Sequence, residues 1–478
     1  MKNKIIIAVI VLAVAFFAAK FFLKSQVQTA TEEVIMYDND VIKTIDAHLQ
    51  NLPIEEIRKK EKLIMEKSIE EIQESIKKGE LTYTELTAFY MDRIRSYDKA
   101  KKGLNSVMEI NPNAISEAKK LDSEKTESIN PMYGIPVLVK DNINTKDMKT
   151  SAGTIALKDF QPSENAPVIE SLIKNKAIIL GKANLSELAN FVDTKMPSGY
   201  SSKLGQTHNP FDPLMLTPSG SSSGSAVAVA ANLSTVALGT ETTGSIISPA
   251  SINSIVGFKP SKDLISTEGV VPLSSTMDTV GPMTKTVKDA VALFNASIQD
   301  ESKKINLNTD LKDLSNMRIG VMKGDNSEKL IEALKKAGAV PVELEIEEID
   351  NEFILQQDFK PDFENFAKKY NLPVKNLSEL VEFNKKDLKR NAKYGQDLIE
   401  DAAENKGEDA EKVKKTVAET KEKLNKLMKD NNLDIIAFTD STGVVLPCIA
   451  GYPLMTVPLR SNRDRRAYGS YFLRYRRK

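Results

Sequence analysis

The amino-acid sequence predicts an α/β fold, a body built round a substantial sheet and covered by helices. Two observations carry this. Short apolar runs, Ile135 to Val139, Ala177 to Leu180, Thr235 to Leu238 and Ile255 to Phe258, alternate with stretches of helical periodicity. The 478 residues, 41% hydrophobic and 28% charged, are the composition of a globular chain long enough to bury a large core.

The first element is not globular. Lys2 and Lys4 precede an uncharged apolar run from Ile5 to Ala19, followed by Lys20, Phe21 to Leu23 and Lys24. Such a run fits a signal-peptide core, whereas a membrane span needs roughly 20 residues. Phe21 to Leu23, with Lys20 snorkelling, bring it close to a span. No small-x-small cleavage site follows, and no nearby Cys could carry a lipid. Residues 1–24 therefore read as a signal anchor in preference to a cleaved signal peptide. Either reading sends the body across a membrane, anchored there or secreted, while lysines on both flanks leave the orientation open. Residues 25–50 are mixed and polar and read as a spacer, with the body at 51–478.

From Pro53 to about Tyr97 the pattern is helical, with Ile54, Ile57, Leu63, Ile64, Ile69, Ile72 and Ile76 at three- and four-residue spacings. Thr82 with Glu85 has the form of a capping box. Between Glu301 and Asn432 lysine and glutamate dominate. There Arg318 to Met322 reads as a strand, Glu328 to Ala337 as a helix, and Val340 to Leu344 as a strand. Residues 399–430 read as helix with a solvated, charged face. The end is unusual: five arginines occur up to residue 459 and seven in the last 19 residues, from Arg460 onward. A basic tail can bind anionic lipid or nucleic acid, but so abrupt a change in residue usage suggests a reading-frame shift. Sequencing the gene through codon 460 tests that.

Composition also excludes. Acidic and basic residues balance at 66 each, so no overall field attracts nucleic acid. Cys448 is the only cysteine, which rules out an intrachain disulfide and a multi-cysteine metal site. His48 and His208 are the only histidines, which removes most zinc sites and nearly every histidine-based triad. No metal or organic cofactor is expected.

What remains for chemistry is hydroxyl and amine. Ser219-Gly-Ser-Ser-Ser-Gly-Ser-Ala226 runs into a small-residue stretch, Val227 to Ala231, and Gly239-Thr-Glu-Thr-Thr-Gly-Ser-Ile246 lies downstream. Gly and Ser at this density permit tight turns and close approach of backbone N–H groups to a ligand. A flexible linker is the bland alternative, but an apolar run and a strand follow at once. A phosphate loop is disfavoured because no Lys-Ser or Lys-Thr pair closes the glycines. A serine nucleophile needs a base. His208 sits in Thr207-His-Asn-Pro210, which reads as a turn. Lys140 ends the apolar run Gly134-Ile-Pro-Val-Leu-Val-Lys140, where burial would depress its pKa, although a lysine ending a strand is more often a surface residue.

Together these segments resemble the amidase-signature family. Ser221 and Ser245 are 24 residues apart, the family's spacing, and Lys140 occupies the position of its lysine. Further segments match: Thr150-Ser-Ala-Gly153, Gly181-Lys-Ala-Asn-Leu-Ser-Glu-Leu188, Ile255-Val-Gly-Phe-Lys-Pro260, Asp278-Thr-Val-Gly-Pro-Met283 and Ala450-Gly-Tyr-Pro-Leu-Met-Thr-Val-Pro458. The resemblance spans about residues 55–459 and is densest between 134 and 290. It implies a large mixed twisted β-sheet surrounded by helices and an amidase domain over residues 51–478. It implies Ser245 as nucleophile, Ser221 and Lys140 as its proton relay, and a cis bond between Gly220 and Ser221. Backbone N–H groups of Thr242, Thr243, Gly244 and Ser245 would form the oxyanion hole.

Two departures matter. Thr243 stands where many members have glycine, which requires a negative φ there. Ile247 stands where many have an arginine near an acidic substrate group, which disfavours an acidic amide and the subunit of glutamyl-tRNA amidotransferase. The variant signature, with Thr240-Glu-Thr and Lys182-Ala-Asn-Leu-Ser-Glu-Leu-Ala-Asn190, looks most like the peptide amidase branch, which removes ammonia from C-terminal carboxamides. The expected partner is a small-molecule or peptide amide. Two further readings stay open: an inactive binding protein of the same fold, and a component of an amidotransferase. After the Gly-Tyr-Pro segment, family members continue with strand and helix; the arginine-rich end would leave a terminal strand missing.

Overall fold

The computed structural model describes residues 35–124, 130–307, 314–347, 349–405, 409–439, 443–459 and 468–474. The expected anchor at 1–24 and Arg460 lie outside them. Among the described residues no helix is long and apolar enough to cross a membrane.

Among the described residues thirteen strands occur, in chain order β1 (Val107–Ile110), β2 (Pro136–Lys140), β3 (Ile178–Ala183), β4 (Tyr200–Ser201), β5 (Gly205–Gln206), β6 (Val236–Glu241), β7 (Val256–Lys259), β8 (Thr279–Thr284), β9 (Arg318–Met322), β10 (Val340–Leu344), β11 (Ile435–Phe438), β12 (Leu454–Leu459) and β13 (Tyr468–Arg474). Eleven form one sheet in the order β1-β3-β2-β6-β8-β7-β12-β13-β11-β9-β10, and β4 and β5 pair apart. β2 runs parallel to β3 and β6, and β9 parallel to β10 and β11, whereas the remaining pairs are antiparallel. The mixed sheet expected from the family resemblance is present. Every residue of β2, β3 and β6 is buried, which is why these strands read as continuous apolar runs instead of alternating ones.

The small-residue stretch after the serines is helix, not linker. Ser223–Ala230 is buried along nearly its whole length. A Cβ at Gly224 would stand 2.4 Å from the carbonyl oxygens of Asn184 and Ser106. Glycine there lets the helix lie directly on the backbone beneath it. Thr82 and Glu85 form the anticipated reciprocal capping box at the start of Tyr83–Arg93. The charged stretch resolves into helices Asp397–Glu404 and Ala410–Asp430, the second burying Val413, Thr420, Leu424 and Met428 on one face.

Two expectations need correction. Part of the supposed spacer belongs to the body: helix Val41–Leu49 buries Val41, Ile45 and Leu49, an i, i+4, i+8 stripe, in the main core. Met36 also forms an antiparallel bridge to Gly205 of β5. The arginine-rich end, expected to cost the sheet a strand, supplies one: β13 lies between β12 and β11.

Candidate active site

β2 and β6 are parallel neighbours, so their carboxyl ends open on one edge of the sheet, where α/β folds place ligands. Lys140 closes β2, and Thr240 and Glu241 close β6. Lys140 is fully buried. Its Nζ lies 2.7 Å from Ser221 Oγ, 2.9 Å from Thr240 Oγ1 and 3.2 Å from the Thr240 carbonyl oxygen. Burial pulls its pKa down to about 7, against the opposing pull of the Asp278 and Glu241 carboxylates. A substantial neutral fraction at physiological pH follows, and a neutral amine accepts protons.

The serine segment is stitched to β6 and to Ser245. The Gly220–Ser221 peptide bond is cis, as the resemblance implies. The Ser221 carbonyl accepts from Ser186 N–H at 3.0 Å, and Ser222 N–H donates to the Ser245 carbonyl at 3.1 Å. Ser222 Oγ donates to the Thr240 carbonyl and accepts from Thr240 N–H. These bonds bring the loops carrying Ser221 and Ser245 together at the end of β6.

Residues 242–245 lead from β6 into the short helix Ile247–Ile252. Gly244 has φ +78°, and a Cβ there would meet Ser248 Oγ at 2.9 Å, so glycine is required. Thr243 is not among the residues of positive φ, which satisfies the condition its side chain sets. The N–H groups of Thr243 and Ser245 donate to no protein acceptor among the described residues. The buried Glu241 carboxylate accepts from Ile246 N–H at 2.7 Å and Ile247 N–H at 2.8 Å. Cys448 Sγ donates to its other oxygen at 3.3 Å, and burial pushes that thiol's pKa up. Thr242 Oγ1 donates to Asp278 at 2.6 Å.

Gly220, Thr242, Thr243 and Ser245 line a cavity of about 270 Å³ together with Ala189, Asn190, Phe191, Leu273, Asn351 and Leu355. Among the described residues no charged side chain lines it. Leu188, Ala189 and Asn190 all have positive φ, a left-handed run that turns the chain along the cavity wall. Another cavity, of about 190 Å³, contains Asn111, Glu117, Ile169 and Lys176 and none of these groups. His208 is buried, its Nδ1 3.1 Å from the Pro213 carbonyl, and burial lowers its pKa.

The model of the family described as Amidase matches residues 85–459. The chain belongs to the amidase family. An amidase family protein from Bacillus anthracis str. Ames is 39% identical, with a TM-score of 0.88 over 93% of this chain and 94% of that one. The peptide amidase from Stenotrophomonas maltophilia is 33% identical, with a TM-score of 0.77 over 86% of this chain and 93% of that one. A protein described as "Probable amidase" from Arabidopsis thaliana is 35% identical over 447 residues, 86% of each chain. The match to a glutamyl-tRNA(Gln) amidotransferase component of Thermoanaerobacter pseudethanolicus is shorter, 37% identity over 279 residues and 56% of each chain. As a member of the amidase family with peptide amidase neighbours, the protein is an amide hydrolase.

The amidase site also holds residues that the sequence reading did not single out. Thr240 Oγ1 accepts from both Lys140 and Asn142, the latter at 3.0 Å. Glu241 and Asp278 hold the segment around Ser245 from beneath. Thr240, Glu241 and Asp278 all fell inside matched segments, but which backbone or hydroxyl each one meets is a long-range fact. Ile247 is wholly buried beside Leu446 and Cys448 in an apolar cluster, so its side chain is core and not cavity wall.

Proposed function

We propose that this amidase cleaves neutral carboxylic or peptide C-terminal amides through an acyl-enzyme on Ser245. Neutral Lys140 takes a proton from Ser221 as Ser221 takes one from Ser245, whose oxygen attacks the amide carbonyl. The C–N bond breaks, the relay returns a proton to the departing nitrogen, and ammonia leaves. Water then attacks the ester by the same relay and the acid is released. The N–H groups of Thr242, Thr243, Gly244 and Ser245 stabilise the oxyanion, each such donor being worth about 2.7–4 kcal/mol in comparable sites.

The observation that carries this reading is the 2.7 Å contact between the buried amine of Lys140 and Ser221 Oγ. The described lining of the cavity, free of charged side chains, supports a neutral substrate, since an anionic group would find no counter-charge among those residues. Ammonia release from a panel of peptide amides, simple carboxamides and glutamine, with Ser245→Ala in parallel, tests it. Turnover retained in Ser245→Ala would sink the mechanism, and preference for glutamine would turn the reading toward an amidotransferase component. For residues 1–24 we propose a membrane anchor with the body outside the cytoplasm; recovery of the intact chain in the soluble fraction after expression would refute that.

A further inference from the structure

Asn351 immediately precedes the helix Glu352–Lys369, the position where an asparagine side chain ordinarily accepts from the helix's own first N–H groups. It makes no such bond. Asp350 Oδ1 accepts from Glu352 N–H instead, at 2.9 Å. The Asn351 amide reaches across to the other side of the cavity, where Nδ2 donates to Thr243 Oγ1 at 2.8 Å. A side chain at the capping position has been diverted onto Thr243, directly before Gly244.

The same helix grips the neighbouring turn. Asp358 accepts from Ser274 Oγ at 2.5 Å, and Asp362 from Ser275 N–H at 2.5 Å. That turn is in turn held by Asp278, which accepts from Leu273 N–H, from Ser274 N–H and from Thr242 Oγ1. Thr242 is thus tied to the helix through Asp278 and the turn, and Thr243 directly through Asn351. With its hydroxyl held by Asn351, Thr243 has its χ1 restrained directly before Gly244, where the chain turns through a positive φ.

We propose that Asn351 is a positioning residue for the oxyanion segment: by holding Thr243 Oγ1 it sets the direction of the Thr243 N–H. This rests on the acyl-enzyme reading above, in which that N–H meets the developing oxyanion. A misdirected donor loses most in the transition state, so the effect falls on kcat and not on KM.

The test is a double-mutant cycle on the whole protein with the best substrate of the ammonia-release panel. Asn351→Ala and Thr243→Val each break the side-chain bond and leave the N–H in place. Each lowers kcat about tenfold, less than complete removal of a donor, while KM stays within about twofold. The double variant is no slower than either single one, because both changes remove one interaction. Thr243→Ser, which keeps the hydroxyl, retains most of the rate and remains sensitive to Asn351→Ala. Multiplying effects in the double variant, a change confined to KM, or an unchanged kcat in Asn351→Ala each overturn the proposal. Far-UV circular dichroism and the unfolding midpoint are read on every variant. Should Asn351→Ala misfold, Asn351→Leu, close in shape and unable to donate, takes its place in the cycle with the same expected outcomes. Loss of this coupling alongside a dead Ser245→Ala leaves the acyl-enzyme reading standing; an active Ser245→Ala removes both.

Discussion

Lys140 Nζ and Ser221 Oγ stand 2.7 Å apart, and neither side chain is exposed to solvent. A lysine in this setting is a base only when deprotonated, and its burial brings the pKa to about 7. The rate should therefore fall as pH drops through about 7, with one ionisation on the acid side. Lys140→Met should lower kcat by roughly 10³-fold or more at any pH. A wild-type profile flat from pH 6 to 8 would remove Lys140 as the base.

The same burial has a thermodynamic sign. The unfolded lysine titrates near 10.5 and the folded one near 7, so between these values the unfolded chain binds the extra proton. The contribution of Lys140 to stability therefore rises with pH across that window and is lowest below it. Thermal unfolding midpoints of wild type and Lys140→Met, compared from pH 6 to 10, should move in favour of the wild type as pH rises. Parallel curves would contradict the depressed pKa.

Thr240 Oγ1 accepts a hydrogen bond from Lys140 and so favours its charged form. Thr240→Val keeps the shape and removes that acceptor. The acid limb of the pH–rate profile should shift to lower pH, by less than about one unit for a single neutral acceptor. A shift to higher pH would show that Thr240 acts otherwise.

Glu241 offers a different kind of support. Its carboxylate satisfies two N–H groups directly after Ser245, in a place water does not reach. Glu241→Ala leaves both donors unpaired and should destabilise the fold by about 2–4 kcal/mol, with kcat falling because Ser245 sits on the freed segment. Denaturant unfolding measures the first and ammonia release the second. An unchanged midpoint would mean the loop has another partner.

What could be read in advance follows from the range of each interaction. Lys140, Ser221 and Ser245 were singled out through the family resemblance, whose lysine position and 24-residue serine spacing are linear patterns, whereas an apolar run ending in lysine read by itself points as readily to the surface; the structure brings Lys140 and Ser221 together. The helix Val41–Leu49 was not legible, since a short nine-residue stretch with Ile42 exposed beside the buried Val41, Ile45 and Leu49 is a weak signal until the body offers it a groove. β13 was hidden in the same way: Tyr468 to Arg474 alternates poorly, and the arginines on both sides of it obscured its strand-forming aromatics. The partners of Glu241, Asp278 and Asn351 are side chains or backbone groups brought together only by folding. Residue type alone does not reveal that an asparagine before a helix leaves the first N–H to its neighbour Asp350 and serves another loop.

Glu187 supplies the last expected outcome. It is buried immediately before the left-handed run Leu188–Ala189–Asn190 on the cavity wall, and burial raises its pKa to about 7, although Ser202 N–H donates to it at 2.7 Å. The folded protein thus holds a proton that the unfolded chain releases near 4.5. Its contribution to stability is full below that value, declines as pH rises, and is lost through about 7. Glu187→Gln, which stays neutral, should gain stability relative to wild type as pH rises from 5 to 8. Because the run it precedes carries Ala189 and Asn190 into the cavity, charging Glu187 should also raise KM in the wild type over the same range and leave the variant's KM unchanged. Matching KM profiles for the two proteins would show that the cavity wall is held independently of this carboxyl.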